Sequence, residues 1–306
     1  MMIDDFLSTQ TMAARPGPTL AHACAGFTLI EMVMVMVITA ILAIGTVKFI
    51  DGPVQGYVQT NVRAELTDIA DTALRRIGRD VRAALPNSVR LFTNGNGTFV
   101  EYLNTKTGAM YQTNDACFTT AGCNTVTSLG SVVPEASLAV TDFVVINNFS
   151  NNSDGLCGNC SAYCAAATAL NKAQITNPLP GTGGGVEEDT ITFTKTSFCP
   201  SAVENSRRFQ IVDGPVTYVC HPTANGGDGT LRRYSGYAIQ AAQPVSEAAA
   251  PLLNRAFSIL ATNVTTCNFF LYPNSGLLAL QLSLTHTTTP FESVSLYHEI
   301  HISTSP

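Results

Sequence analysis

The sequence predicts an α+β chain: one long N-terminal helix, apolar in its first half and amphipathic in its second, packed on antiparallel β-sheets. Three observations predict it. Residues 27–47 are apolar apart from a few threonines, Gly45 and one carboxylate, Glu31. From Val58 to Ala84 apolar residues recur every three or four positions. Beyond about Val89 the period of the apolar residues falls to two.

At about 1.5 Å per residue, 27–47 makes a helix of about 31 Å, enough to cross a hydrocarbon core of about 30 Å. Glu31 is out of place in a bare anchor. A charge at mid-membrane costs about 2.5–3.5 kcal/mol, and less near an interface. Two readings account for it: it sits at headgroup level near a helix N-terminus, whose dipole favours an anion, or it awaits a positive partner.

Asp51-Gly52-Pro53, with Gly56 following, predicts a kink or short break, because proline removes a helix hydrogen bond. Helical patterning then resumes. Val58, Val62, Leu66, Ile69, Ala73, Ile77, Val81 and Ala84 share one face; Arg63, Asp68, Asp71, Arg75, Arg79 and Arg82 lie on the other. Pro86 ends the pattern, with Asn87 and Ser88 as turn residues. The predicted division is 1–26, a targeting segment; 27–50, a membrane or assembly helix; 51–86, an amphipathic helix entering the head; and 87–306, the head.

Candidate strands are 98–103, 142–147, 189–194, 209–212, 216–220, 231–234, 266–272, 277–284 and 293–302. Leu278, Leu280, Leu282 and Leu284 point to one face and Gln281 and Ser283 to the other; Val294, Leu296, His298, Ile300 and Ile302 alternate likewise. Such alternation suits antiparallel sheets with one buried face. Polar loops are expected at 147–154, 177–185 and 223–229.

A chain of 306 residues, 12% charged and of net charge −6, has no basic surplus, so nucleic acid is not an expected partner. The helix arginines alternate with acids and solvate a helix face. There is no nucleophile elbow, phosphate-binding glycine loop or HExxH pattern, so no enzyme site is expected. GTGGG at 181–185 precedes a strand and reads as a flexible link. The histidines do not converge: His298 and His301 lie on opposite faces of one strand, His221 is in a turn and His286 ends a strand.

Of nine cysteines, Cys24 lies in the targeting segment. Cys117, Cys123, Cys157, Cys160, Cys164, Cys199, Cys220 and Cys267 remain, an even number in a head facing an oxidising space, which predicts disulfides. Cys117–Cys123 closes a short loop and is the first expected pair; Cys199–Cys220, at neighbouring strand ends, is the second. The cluster CGNCSAYC brings Cys157, Cys160 and Cys164 together. CxxC serves redox pairs and half-sites for zinc. No second CxxC or histidine pair follows at zinc spacing, and the surroundings are Asn/Ser/Gly loop, so structural disulfides are expected. Metal or redox chemistry at these three is the alternative.

The run Gly26-Phe27-Thr28-Leu29-Ile30-Glu31 and the apolar segment behind it resemble the processing site of type IV prepilins and type II secretion pseudopilins. The resemblance implies that prepilin peptidase cuts between Gly26 and Phe27 and that Phe27 is then N-methylated. It implies that Glu31 is the assembly glutamate, one turn from the new amine and able to neutralise the amine of a neighbouring copy. The chain is then held in the inner membrane by 27–50, its head periplasmic. From the bilayer it passes through an inner-membrane assembly platform into a filament with major and minor pilins. Asp4 and Asp5 make the leader unusual; a start at Met12 gives a 15-residue leader with Arg15 and no acid. A conventional signal peptide cut at Ala23 or Ala25 is the alternative, but here the apolar region follows the cut.

ALRRIGRDVRAALPNSVR, 73–90, resembles the larger minor pilins and the J-type pseudopilins. LRRYSGYAI (231–239) and FESVSLYHEIHISTSP (291–306) are similar to minor pilins of the mannose-sensitive haemagglutinin (MSHA) type. The resemblance implies a structural minor pilin without cofactor; J-type pseudopilin, tip adhesin and membrane-anchored metal or redox protein are the alternatives. Related pseudopilins use calcium, and loop 147–154 offers Asn and Asp oxygens, though not at EF-hand spacing.

Overall fold

One helix, α1 (Leu29–Arg82), opens the structure, a computed structural model that describes residues 26–112, 117, 121–130, 132, 138–151, 161–164, 171–177, 189–198, 207–289 and 291–304. The expected break at Pro53 does not occur: the helix is continuous through it. A proline inside a helix removes one ladder bond, and the helix carries on past it despite Gly52 and Gly56. Contacts divide the chain into two compact units between Gln55 and Gly56. The helix ends one turn before Pro86. Ala83 and Ala84 donate their N–H groups to the carbonyls of Asp80 and Val81, each at 3.1 Å, tightening the last turn. Ala84 then bridges to Asn104, and the end at Arg82 is where the Pro86 ring would meet the i−4 carbonyl.

Among the described residues twelve strands follow: β1 (Arg90–Asn94), β2 (Gly97–Met110), β3 (Cys123–Thr127), β4 (Phe143–Val145), β5 (Lys172–Asn177), β6 (Thr190–Thr196), β7 (Arg208–His221), β8 (Thr230–Tyr234), β9 (Phe257–Thr262), β10 (Val264–Tyr272), β11 (Leu277–Thr285) and β12 (Ser293–His301). All pairings are antiparallel. A nine-stranded sheet runs β1-β2-β7-β4-β5-β6-β3, with β8 between β7 and β9; a three-stranded sheet runs β10-β11-β12.

The two strands expected at 209–212 and 216–220 are one, β7. Asp213-Gly214-Pro215 forms a bulge: Asn104 opposes Gly214 while Thr105 opposes Val212, so Asp213 is skipped in the register, and its side chain accepts from Asn104 at 3.0 Å. Gly214, at φ +141°, adopts backbone that L side chains rarely enter. Strands β1, β3, β5 and β9 are additional to the expected set.

The helix stripe meets both sheets. Leu66, Ala70, Ala73, Leu74, Ile77 and Val81 share one core with Tyr102, Tyr218, Leu231, Leu278, Leu280, Leu282, Leu284 and Ile300. Fully burying each such leucine or isoleucine contributes about 1.5–3 kcal/mol. Gly78 allows the close approach: a Cβ there would stand 3.3 Å from His298 Nε2 on β12.

Cys117 and Cys123 are disulfide-bonded, with Cα atoms 4.5 Å apart. The expected Cys199–Cys220 pair is replaced. Cys220, at the end of β7, is bonded to Cys267 on β10, Cα atoms 6.4 Å apart. Both side chains face the core under α1, a neighbourhood that sequence adjacency of strand ends does not convey. Met12, Cys24, Cys157, Cys160, Cys199 and the 181–185 link lie outside the described residues.

Candidate functional site

The helix entrance is built from Thr28. Its carbonyl accepts the Met32 N–H at 3.2 Å, and its Oγ1 accepts the Glu31 N–H at 3.3 Å. Thr28 is therefore the N-cap and Glu31 the third helical residue, the T-x-x-E spacing of a capping box. The cap was readable in the sequence: TLIE before an apolar run is its signature. It fixes where the helix starts and places the Glu31 carboxylate in the first turn, where the helix dipole favours an anion. Gly26 and Phe27 precede the helix and are exposed, Phe27 at 77%.

From Leu29 to Val58 every residue of the helix is exposed. Its apolar side chains stand 40–83% exposed, on all sides of the axis. By length and composition this part can cross a membrane. Its hydroxyls cause no difficulty there. Thr39 Oγ1 donates to the Val35 carbonyl at 2.7 Å and Thr46 Oγ1 to the Ala43 carbonyl at 2.9 Å, so neither needs water. A helix apolar all round is stable only in lipid or among other apolar helices. Gly26, Phe27 and Glu31 are thus brought together at one end of an unburied apolar rod.

The other half of α1 is fastened to the head by polar contacts that the sequence reading passed over. Asp80 Oδ2 accepts from the Tyr218 hydroxyl at 2.7 Å and from Arg233 Nε at 2.9 Å, while Arg76 Nε lies 3.2 Å from Asp80 Oδ1. Burial alone raises the Asp80 carboxyl; the Tyr218 hydroxyl, Arg233 and Arg76 outweigh it and hold the group below its ordinary value. Arg63, one of the helix arginines, reaches Glu292 before β12 at 2.9 Å. Deeper lies an ion pair with no exposure. Arg90 Nε donates to Glu101 Oε2 at 2.6 Å, its Nη atoms donate to the carbonyls of Ala241 and Gln240, and its guanidinium lies 3.6 Å from the Tyr163 ring centroid. Glu101 Oε1 accepts from Tyr237 at 2.7 Å. The Arg90–Glu101 pair has no access from solvent and is a structural contact.

The cysteine cluster is described only at Cys164, which is disulfide-bonded. A disulfide sulfur is not the thiolate a metal needs. Loop 147–154 is described as far as Asn151. Asn148 is committed to protein groups: its side chain donates to the Pro86 carbonyl at 2.6 Å and accepts from the Ala162 N–H at 2.9 Å and from Asn171 at 3.0 Å. Among the described residues no three His, Cys, Asp or Glu side chains gather as metal ligands. The histidines lie apart, His298 against α1 at Gly78 and His301 exposed.

Residues 21–47 match the family described as the prokaryotic N-terminal methylation motif. The match spans the Gly26–Glu31 run and the apolar half of α1. It supports the type IV pilin and pseudopilin family, whose members are structural subunits processed by prepilin peptidase and assembled with other pilins. It also fits a single-pass anchor. No curated protein and no solved structure matches the chain.

Proposed function

We propose that this chain is a structural minor pilin of an MSHA-like type IV pilus, of the kind of the MSHA biogenesis protein O. Cut between Gly26 and Phe27 and methylated on Phe27, it moves from the inner membrane into the filament through the apolar half of α1. The observation that carries this reading is the division of one helix. Its first half is apolar on every side and opens on a capped Glu31; its second half is buried against a disulfide-braced head. The first half suits lipid and then neighbouring helices, and the new amine of one copy pairs with Glu31 of another. An unpaired buried charge is costly, and pairing removes most of that cost. A head of this size crowds its neighbours if repeated at every position, which favours low copy number at the tip, where the subunit primes assembly.

The J-type pseudopilin of a type II secretion system is the second reading, favoured by the stretch from Ala73 to Arg90. Both readings share processing and assembly and differ in the machine served. Mass spectrometry of the mature N-terminus, with and without prepilin peptidase, tests the shared part. The expected result is an N-methylated Phe27 that depends on the peptidase; a chain starting elsewhere overturns it. Glu31→Gln is expected to be processed yet absent from filaments, and normal incorporation would sink the assembly role. Deleting the chain should stop pilus formation in the first reading and secretion in the second.

A further inference from the structure

The strand β9, FSILAT, pairs on one side with β8 and, among the described residues, with nothing on the other. Exposed sheet edges are templates for another strand, and proteins blunt them with charges, prolines or bulges. The free edge β12 carries Glu299 and two histidines; β9 carries no charge, and Phe257 and Ile259 stand 45% and 56% exposed. Beside β9 and under α1 runs a groove of about 320 Å³, lined by Thr72, Arg76, Arg79, Arg233, Ser258 and Ile259. No acid lines it. Arg76 and Arg233 share the single carboxylate of Asp80, and Arg79 has none within ion-pair reach among the described residues. Three guanidinia against one carboxylate make a positive groove on a chain of net charge −6.

We propose that this edge is a docking site for an extended, acidic segment of another polypeptide, which adds a strand to β9 and places a carboxylate between Arg79 and Arg76. Main-chain bonds along β9 give the affinity, as in other strand additions. The arginines give the selection, because a guanidinium fork binds a carboxylate through two parallel bonds. The groove has room for a few side chains and not for a folded partner, which is why the occupant is a strand. The site is independent of the filament reading and stands or falls on its own test.

The test uses the full-length chain in detergent micelles and three fluorescein-labelled nonapeptides. The first alternates valine and threonine around a central glutamate. The second has glutamine at that position. The third keeps the glutamate but is N-methylated at alternate backbone amides, so it cannot pair as a strand. Fluorescence anisotropy should show the glutamate peptide binding and the other two about tenfold weaker or worse. Arg79→Glu should weaken the glutamate peptide by a similar factor, and Arg79→Lys, which keeps the charge but loses the fork, should weaken it by about threefold to fivefold. Arg79 is exposed, so both variants should fold as the parent does by circular dichroism. Equal binding of the glutamate and glutamine peptides overturns the charge selection. Equal binding of the N-methylated peptide leaves a bare anion site and overturns the strand addition. Binding of none of the three overturns both.

Discussion

Asp80 on α1 and Arg233 on β8 meet at 2.9 Å, and the same carboxylate oxygen takes the Tyr218 hydroxyl from β7. One helix residue thereby fixes α1 against two neighbouring strands of the large sheet. The folded Asp80 carboxyl titrates below its ordinary value, because its partners outweigh burial. A depressed carboxylate contributes stability that is full above the unfolded pKa, about 3.9, and is lost as pH falls through the folded one. Asp80→Asn is therefore expected to lower stability in urea by about 1–3 kcal/mol at pH 7. The gap to the parent should close as pH falls below about 4. A gap independent of pH would show that the charge is not what holds the helix.

Arg90 and Glu101 predict the opposite acid response. Burial, the largest influence, raises the Glu101 carboxyl despite Arg90 and Tyr237. Removing one partner of a buried pair costs about 3–5 kcal/mol, and that is the expected loss for Arg90→Met. Here the folded pKa lies above the unfolded one, so lowering the pH should relieve part of the loss by protonating Glu101. Adding Glu101→Gln keeps the hydrogen bond from Tyr237 and removes the stranded charge. Urea unfolding of the double variant should recover about 2 kcal/mol or more. A double variant as unstable as the single one would assign the loss to cavity formation.

Much of this architecture was legible because hydrophobic period reports burial directly. The stripe Leu66, Ala73, Ile77, Val81 and the leucines of β11 face each other in the core as their spacing requires. Less legible were features decided by partners far along the chain. Strands β3 and β5, CNTVT and KAQITN, are short and half polar, and pairing rather than pattern makes them strands. Asp213-Gly214-Pro215 carries turn chemistry but sits in a bulge, since a bulge and a turn both call for an unusual glycine conformation. Nothing local to Arg90 marks it for burial; the fold places Glu101 opposite it in the β1–β2 hairpin. At the helix entrance the signal is local: TLIE carries the T-x-x-E spacing of the cap that Thr28 makes.

The two described disulfides close loops of different length. Cys220 and Cys267 are separated by 47 residues and Cys117 and Cys123 by 6. Loop-closure entropy then assigns about 4 kcal/mol to the first and about 2 kcal/mol to the second. Replacing each pair by serine or alanine and measuring urea unfolding should give that order. The reverse order would show that local order around Cys117, not chain entropy, dominates.

The cap at Thr28 bears on how Glu31 is presented. The Thr28 hydroxyl holds the Glu31 N–H, and its loss should cost the first turn about 1 kcal/mol. Thr28→Ala, in micelles, should therefore speed amide exchange of Glu31 about fivefold, with the head unchanged. Thr46→Ala is the control: that hydroxyl only bonds back to Ala43, so exchange at Glu31 should not move. Thr28→Ser keeps an acceptor at the cap and should exchange as the parent does. If Thr28→Ala exchanges at the parental rate, the helix starts without its cap, and Glu31 is positioned by its surroundings in lipid or among neighbouring helices rather than by its own first turn.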